Sequence, residues 1–163
     1  MIRLSVFSVL YSLLTRHRIV LLKQDGGERF LPIWIGTHES DAIAMPLQGN
    51  SVFRPLTHDL LVNLIGELGG EIQHVVVDDL RNNTFYAKIA IRQNGTLRLV
   101  DSRPSDAIAV AVRTQVPIYA EESVMDKAGI VVSPEIRSGI GDQDQLDVFR
   151  QFVDSLDVDD LGD

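Results

Sequence analysis

Apolar and polar residues alternate cleanly from Thr84 to Arg92, with Phe85, Ala87, Ile89 and Ile91 set against Tyr86, Lys88 and Arg92, which predicts a half-buried strand. Apolar runs at Leu4 to Leu13, Arg18 to Lys23, Phe30 to Ile35, Ile72 to Asp78, Val116 to Ala120 and Ile130 to Val132 predict further strands. Asp25-Gly26-Gly27 and Asn94-Gly95 supply the positive-φ residues of tight hairpin turns. Pro32 has no N–H to give a ladder, so its strand is expected to lie at an edge there. Helical spacing is strongest at Leu60, Leu61, Leu64, Ile65 and Leu68, between a capping Thr57 and the stop Gly69-Gly70. Shorter helices are expected from Glu39 to Leu47, from Asp106 to Arg113 and, capped by Ser123, up to Ala128.

One pentapeptide occurs twice. Ser40-Asp41-Ala42-Ile43-Ala44 returns as Ser105-Asp106-Ala107-Ile108-Ala109, and each copy follows a strand pair and opens an apolar helical stretch. The chain therefore reads as a duplicated strand-hairpin-helix unit in a compact α+β domain, with a mostly antiparallel or mixed sheet and flanking helices. That domain is expected over residues 1–132. A linker containing Pro134, Gly139 and Gly141 follows over 133–143, and residues 144–163 carry an amphipathic helix with Phe149 and Phe152 on its stripe, then an acidic tail.

With 163 residues and 45% apolar content, the chain suits one folded domain with a real core. It has no cysteine, so disulfides and thiolate zinc sites are excluded, and any metal would be held by carboxylates, imidazoles or carbonyls. A net charge of −8 argues against an extended phosphate-tracking groove, while leaving room for a small site that engages one phosphate. Leu4 to Leu14 is too short to span a bilayer and no small-residue cleavage pattern follows it; a buried strand and a cytoplasmic, non-membrane protein are expected.

The candidate chemistry lies where strands enter helices. Asp101-Ser102-Arg103-Pro104-Ser105-Asp106 joins a strand end to a helix start, with Pro104 holding Arg103 extended and suiting a first helical position. Charges beside a helix N-terminus can hold a phosphate or a metal-bound phosphate. The plainer explanation is a first-turn Asp106 that complements the helix, or an ion pair of Arg103 with Asp101 or Asp106. His58-Asp59 opens the strongest helix and can supply a general base or a metal ligand; alternatively Asp59 serves the helix dipole and His58 is a surface residue. If the two copies face each other, Glu39, Asp41, Asp101 and Asp106 are candidates to share one cleft. Asp78-Asp79 reads as a solvated turn.

Three blocks carry a resemblance: Leu31-Pro32-Ile33-Trp34-Ile35-Gly36 with Glu39, then Arg54-Pro55-Leu56-Thr57-His58-Asp59, then Asp101 to Ala109. In order and spacing they resemble the signature blocks of the bifunctional nuclease domain family. The resemblance implies a compact α+β domain acting on both DNA and RNA. Matched block by block, it implies Glu39, His58, Asp59, Asp101, Arg103, Ser105 and Asp106 as site candidates. In the leading reading Asp59, Asp101 and Asp106 hold one or two divalent cations, magnesium or manganese, Arg103 stabilises phosphoryl charge and His58 moves a proton. The contrasting readings are a non-catalytic anion- or nucleotide-binding regulatory module and an oligomeric interaction protein. Nucleic acid is the expected substrate, and Pro32, Trp34 and the Ala-Ile-Ala faces suit a homo-oligomer, first of all a dimer.

Overall fold

In the computed structural model, which describes residues 1–11 and 16–131, each apolar run becomes a strand of one mixed sheet. The chain runs β1 (Ile2–Tyr11), β2 (Arg18–Gln24), β3 (Arg29–Ile35), α1 (Thr37–Leu47), α2 (Thr57–Glu67), β4 (Gly70–Arg81), β5 (Thr84–Gln93) and β6 (Thr96–Ser102). It continues through α3 (Pro104–Thr114), β7 (Ile118–Ala120), α4 (Glu122–Ala128) and β8 (Ile130–Val131). The sheet order is β6-β5-β4-β7-β1-β2-β3-β8, and β4 with β7 is the parallel pair. The linker and terminal helix expected over 133–163 lie outside the described residues.

The duplication is visible in the topology. β1-β2-β3-α1 and β4-β5-β6-α3 are each a three-stranded antiparallel meander followed by a helix bearing the pentapeptide, and short β7 sits between the two meanders. The helices do not start at equivalent places. The N-cap of α1 is Gly36, four residues before Ser40, whereas the N-cap of α3 is Arg103, two residues before Ser105. This slip puts Asp106 in the first turn of α3 and pushes Asp41 beyond the first turn of α1, where Glu39 takes the first-turn place.

The main core lies between the sheet and the helices, with Val20, Leu22, Val75, Val77 and Ile89 meeting Ile43, Ile108 and Met125. Ile19 and Leu21, on the other face of β2, join Leu10 and Phe30 in a second cluster, so β2 is apolar on both faces. Pro32 pairs across to Leu21, and β8 bonds β3 only at Arg29 and Phe30; among the described residues β3 is an edge at Pro32.

Some expectations are corrected. The N-cap of α2 is Leu56 rather than Thr57, because Asp59 at the third helical position reaches back to accept the Leu56 N–H at 2.8 Å. The N-cap of α4 is Glu121 rather than Ser123. The most periodic helix forms where its spacing predicts, and most of its leucines are exposed. α2 rides over α3 and β4 at the rim, so Val62 and Ile65 pack inward while Leu60, Leu61, Leu64 and Leu68 stay exposed. Asp78-Asp79 lies inside β4 at a register break rather than in a turn, and Asp78 accepts Lys88 Nζ at 2.6 Å.

Candidate functional site at three helix N-termini

Each of α1, α2 and α3 carries an acid in its first turn: Glu39, Asp59 and Asp106. First-turn acids offset the partial positive charge of the unpaired N–H groups there. Packing of α3 against α1 and α2 brings these termini together, and long side chains then link them.

Arg103 is the centre of the link. It sits in extended conformation (φ −69°, ψ 146°) ahead of Pro104, as the X-Pro restriction requires. Its Nε and Nη2 donate to Asp106 Oδ2 and Oδ1 at 2.7 and 3.1 Å, and its Nη1 donates to Glu39 Oε1 at 3.0 Å. Three of the five guanidinium donors are thus occupied; two remain, and the side chain is 65% exposed. Gly36 makes room for this bridge, since a Cβ there would collide with the Glu39 carboxylate.

His58 enters from α2. Its Nε2 lies 2.9 Å from Asp106 Oδ1, and with 14% of its side chain exposed it is no surface residue. Burial pushes the Asp106 carboxyl up, but the hydrogen bonds from Arg103 and His58 outweigh burial and hold it below the usual carboxylate range. A carboxylate kept ionised beside Nε2 favours the tautomer with a proton on Nε2, leaving Nδ1 to accept one.

Asp59 turns away from this cluster. Its Oδ1 accepts Arg113 Nε at 2.6 Å while its Oδ2 holds the Leu56 N–H. Burial again pushes the carboxyl up, and the Leu56 N–H with the Arg113 guanidinium brings it below the usual range. Arg113, only 8% exposed, also donates from Nη1 to the carbonyls of Ala42 and Ala109 at 2.6 and 2.8 Å. It therefore ties α1, α2 and α3 together. The sequence reading passed over Arg113; a cation in the last turn of a helix was the available signal.

Asp101 and Ser105 stand apart. Asp101 pairs across β6 and β5 with Lys88 and, by strand alternation, shares that residue's face of the sheet, opposite to Ala87 and the core. Ser105 is buried in the first turn of α3, as Ser40 is in α1, where Ser40 Oγ donates to the Thr37 carbonyl and accepts from Arg18. Asp41 pairs with Arg18 at 3.3 Å, so of the four acids considered for one cleft only Glu39 and Asp106 meet. Among the described residues no group of three His, Asp or Glu is placed to hold one ion. A cation shared by Asp59, Asp101 and Asp106 does not fit this donor set, because the first is committed to Arg113, the second faces the other side of the sheet and the third is already engaged by Arg103 and His58.

The family model of the bifunctional nuclease domain matches residues 20–133, which contain Glu39, His58, Asp59, Arg103, Asp106 and Arg113. The chain belongs to the bifunctional nuclease domain family. A Mycobacterium tuberculosis protein described as uncharacterised is 42% identical over 146 residues, covering 88% of this chain and 87% of that relative. Bifunctional nuclease 1 of rice (subspecies japonica) is 27% identical over 139 residues, 82% of this chain but 42% of the rice protein. Bifunctional nuclease 2 of Arabidopsis thaliana is 27% identical over 117 residues, again matching a minor part (36%) of the plant chain. Among the described residues no helix is long and apolar enough to cross a membrane.

Proposed function

We propose that this family member is a nuclease that hydrolyses phosphodiester bonds of DNA and RNA, and that His58, Asp106 and Arg103 do the work. The observation that carries the reading is the His58–Asp106 contact at 2.9 Å with Arg103 spanning Asp106 and Glu39 beside it. Asp106 orients the imidazole so that Nδ1 takes the proton of an attacking water or, in RNA, of the 2′-hydroxyl. As the new P–O bond forms, the ester P–O bond opposite it breaks and the leaving oxygen takes a proton from solvent; the imidazolium, stabilised by the same carboxylate, later returns its proton to solvent. The remaining Arg103 donors and the first-turn N–H groups of α3, which carries no side-chain cap, face a phosphoryl group and stabilise its growing charge. Glu39 holds the guanidinium in place.

The test is cleavage of single-stranded DNA and RNA by the purified protein, with Mg²⁺, with Mn²⁺ and with chelator. His58→Ala is expected to lower turnover by about 10²–10⁴-fold, the usual worth of a positioned acid–base group. Asp106→Asn and Arg103→Lys should also lower it, the latter because an ammonium lacks the planar fork. Asp101→Asn should leave it unchanged. Wild type without cleavage above a mock preparation, or wild-type turnover in both His58→Ala and Asp106→Asn, defeats the proposal.

The reading includes self-association as a dimer through α2. A chain of net charge −8 repels its own copies except where charge is missing, and the exposed Leu60, Leu61, Leu64 and Leu68 form such a surface. Sedimentation should give a dimer for wild type and a monomer for Leu64→Glu; a wild-type monomer at micromolar concentration overturns it.

A further inference from the structure

On the other side of the first turn of α2 lies a cleft of about 410 Å³, bounded by the end of α1, the 49–56 segment, α2 and the end of α3. Its volume suits a small organic molecule. Pro46, Val62 and Val112 give it apolar walls, and the polar groups besides one ion pair include the carboxamides of Asn50, Asn63 and Gln115. Those amides each offer a donor and an acceptor.

Two features narrow the ligand class. The ionisable side chains lining the cleft are Asp59 and Arg113, bonded to each other at 2.6 Å, so they cancel and recruit neither an anion nor a cation. The ligand is uncharged, with apolar faces and a hydrogen-bonding rim. The second feature is Gln115. It closes α3 in the left-handed conformation (φ 57°, ψ 28°), a place where glycine is the ordinary residue and a side chain is strained. A residue held in this conformation at the lining of a cleft, with a long carboxamide in place of glycine, points to use of that carboxamide.

We infer that this cleft binds an unpaired nucleobase. A base has flat apolar faces for Val62 and Val112 and a rim of donors and acceptors for Asn63 and Gln115, as carboxamides read base edges elsewhere. His58 and Asp59 are consecutive, so their Cα atoms stand about 3.8 Å apart; one looks to the phosphate-cleaving cluster and the other to the cleft. A nucleotide in a single strand joins base and phosphate over a comparably short reach. The inference deepens the nuclease reading and rests on it for this placement: the substrate is a strand with an accessible base, not an intact duplex.

The test uses free nucleosides, which carry no phosphodiester. Adenosine, cytidine, guanosine and uridine are titrated into the full chain while the side-chain amide resonances of Asn63 and Gln115 are followed by heteronuclear NMR. At least one nucleoside is expected to shift both resonances saturably. Gln115→Gly should weaken that binding at least tenfold while leaving the melting temperature unchanged or higher, because glycine relieves the left-handed backbone; a merely structural glutamine has no reason to behave so. Asn63→Leu should weaken it as well. Absence of saturable shifts with all four nucleosides at millimolar concentration, or wild-type affinity in both variants, overturns the inference. His58→Ala separates the two readings: it should lose cleavage and keep nucleoside binding. Nucleoside binding sensitive to Gln115→Gly in a wild type that does not cleave would sustain the cleft and sink the nuclease; cleavage without nucleoside binding would do the reverse.

Discussion

Asp106 accepts from three nitrogens at once, two of Arg103 and one of His58, and each bond favours its ionised form. Asp41, in an identical pentapeptide, has one partner at 3.3 Å and an exposed side chain. The same substitution should thus cost different amounts: Asp106→Asn about 1–3 kcal/mol in urea unfolding, the range for charge-assisted bonds, and Asp41→Asn within about 0.5 kcal/mol. Equal costs would show that the slip in helix start has no energetic meaning. Asp59 and Asp106 also set the acid limb of stability. Both are held below their unfolded value, so their contribution is present at neutral pH and is lost as pH falls through the ordinary carboxylate range near 4 and below it. Urea midpoints followed from neutral to acid pH should fall less steeply in Asp59→Asn and Asp106→Asn than in wild type.

Helix α3 works as the hub of its layer because both ends carry arginines, Arg103 exposed at the start and Arg113 buried near the end. Replacing Arg113 by Met strands Asp59 and two carbonyls, and should destabilise by about 2–3 kcal/mol; calorimetry that shows no loss would mean water replaces the guanidinium without cost. Gly36→Ala is subtler. Its backbone (φ −76°) accepts any residue, and only the flexible Glu39 carboxylate need move, so stability should hold while the Glu39–Arg103 bridge is broken. The sequence carried this element level unevenly. Pro104 and the X-Pro rule announced the start of α3, and hairpin turns at Asn94-Gly95 were legible because the chemistry is local. The leucines of α2 announced their helix correctly but not its exposure, since periodicity reports an apolar face and not what covers it. The Arg103–Glu39 bridge spans 64 residues, and no local pattern encodes it.

For the whole molecule, the α+β class and the doubled hairpin-helix unit followed from turn chemistry and the repeated pentapeptide, whereas the order of strands did not. That order hinges on β7, whose Ile118, Tyr119 and Ala120 pair with Val75, Val76 and Val77 on one side and with Leu4, Arg3 and Ile2 on the other. Ile118 is buried, so Ile118→Ala should lower stability by about 2–5 kcal/mol, and denaturation should remain a single transition if the halves fold as one. Two separate transitions would mean that each meander stands on its own. The position of β7 along the chain also bears on how the protein is made. Both meanders precede it, so during synthesis each can form its own hairpins while the sheet between them still lacks its middle strand. The β1 and β4 edges stay open until Ala120 clears the ribosome, and the three residues of β7 are the ones that turn two sheets into one.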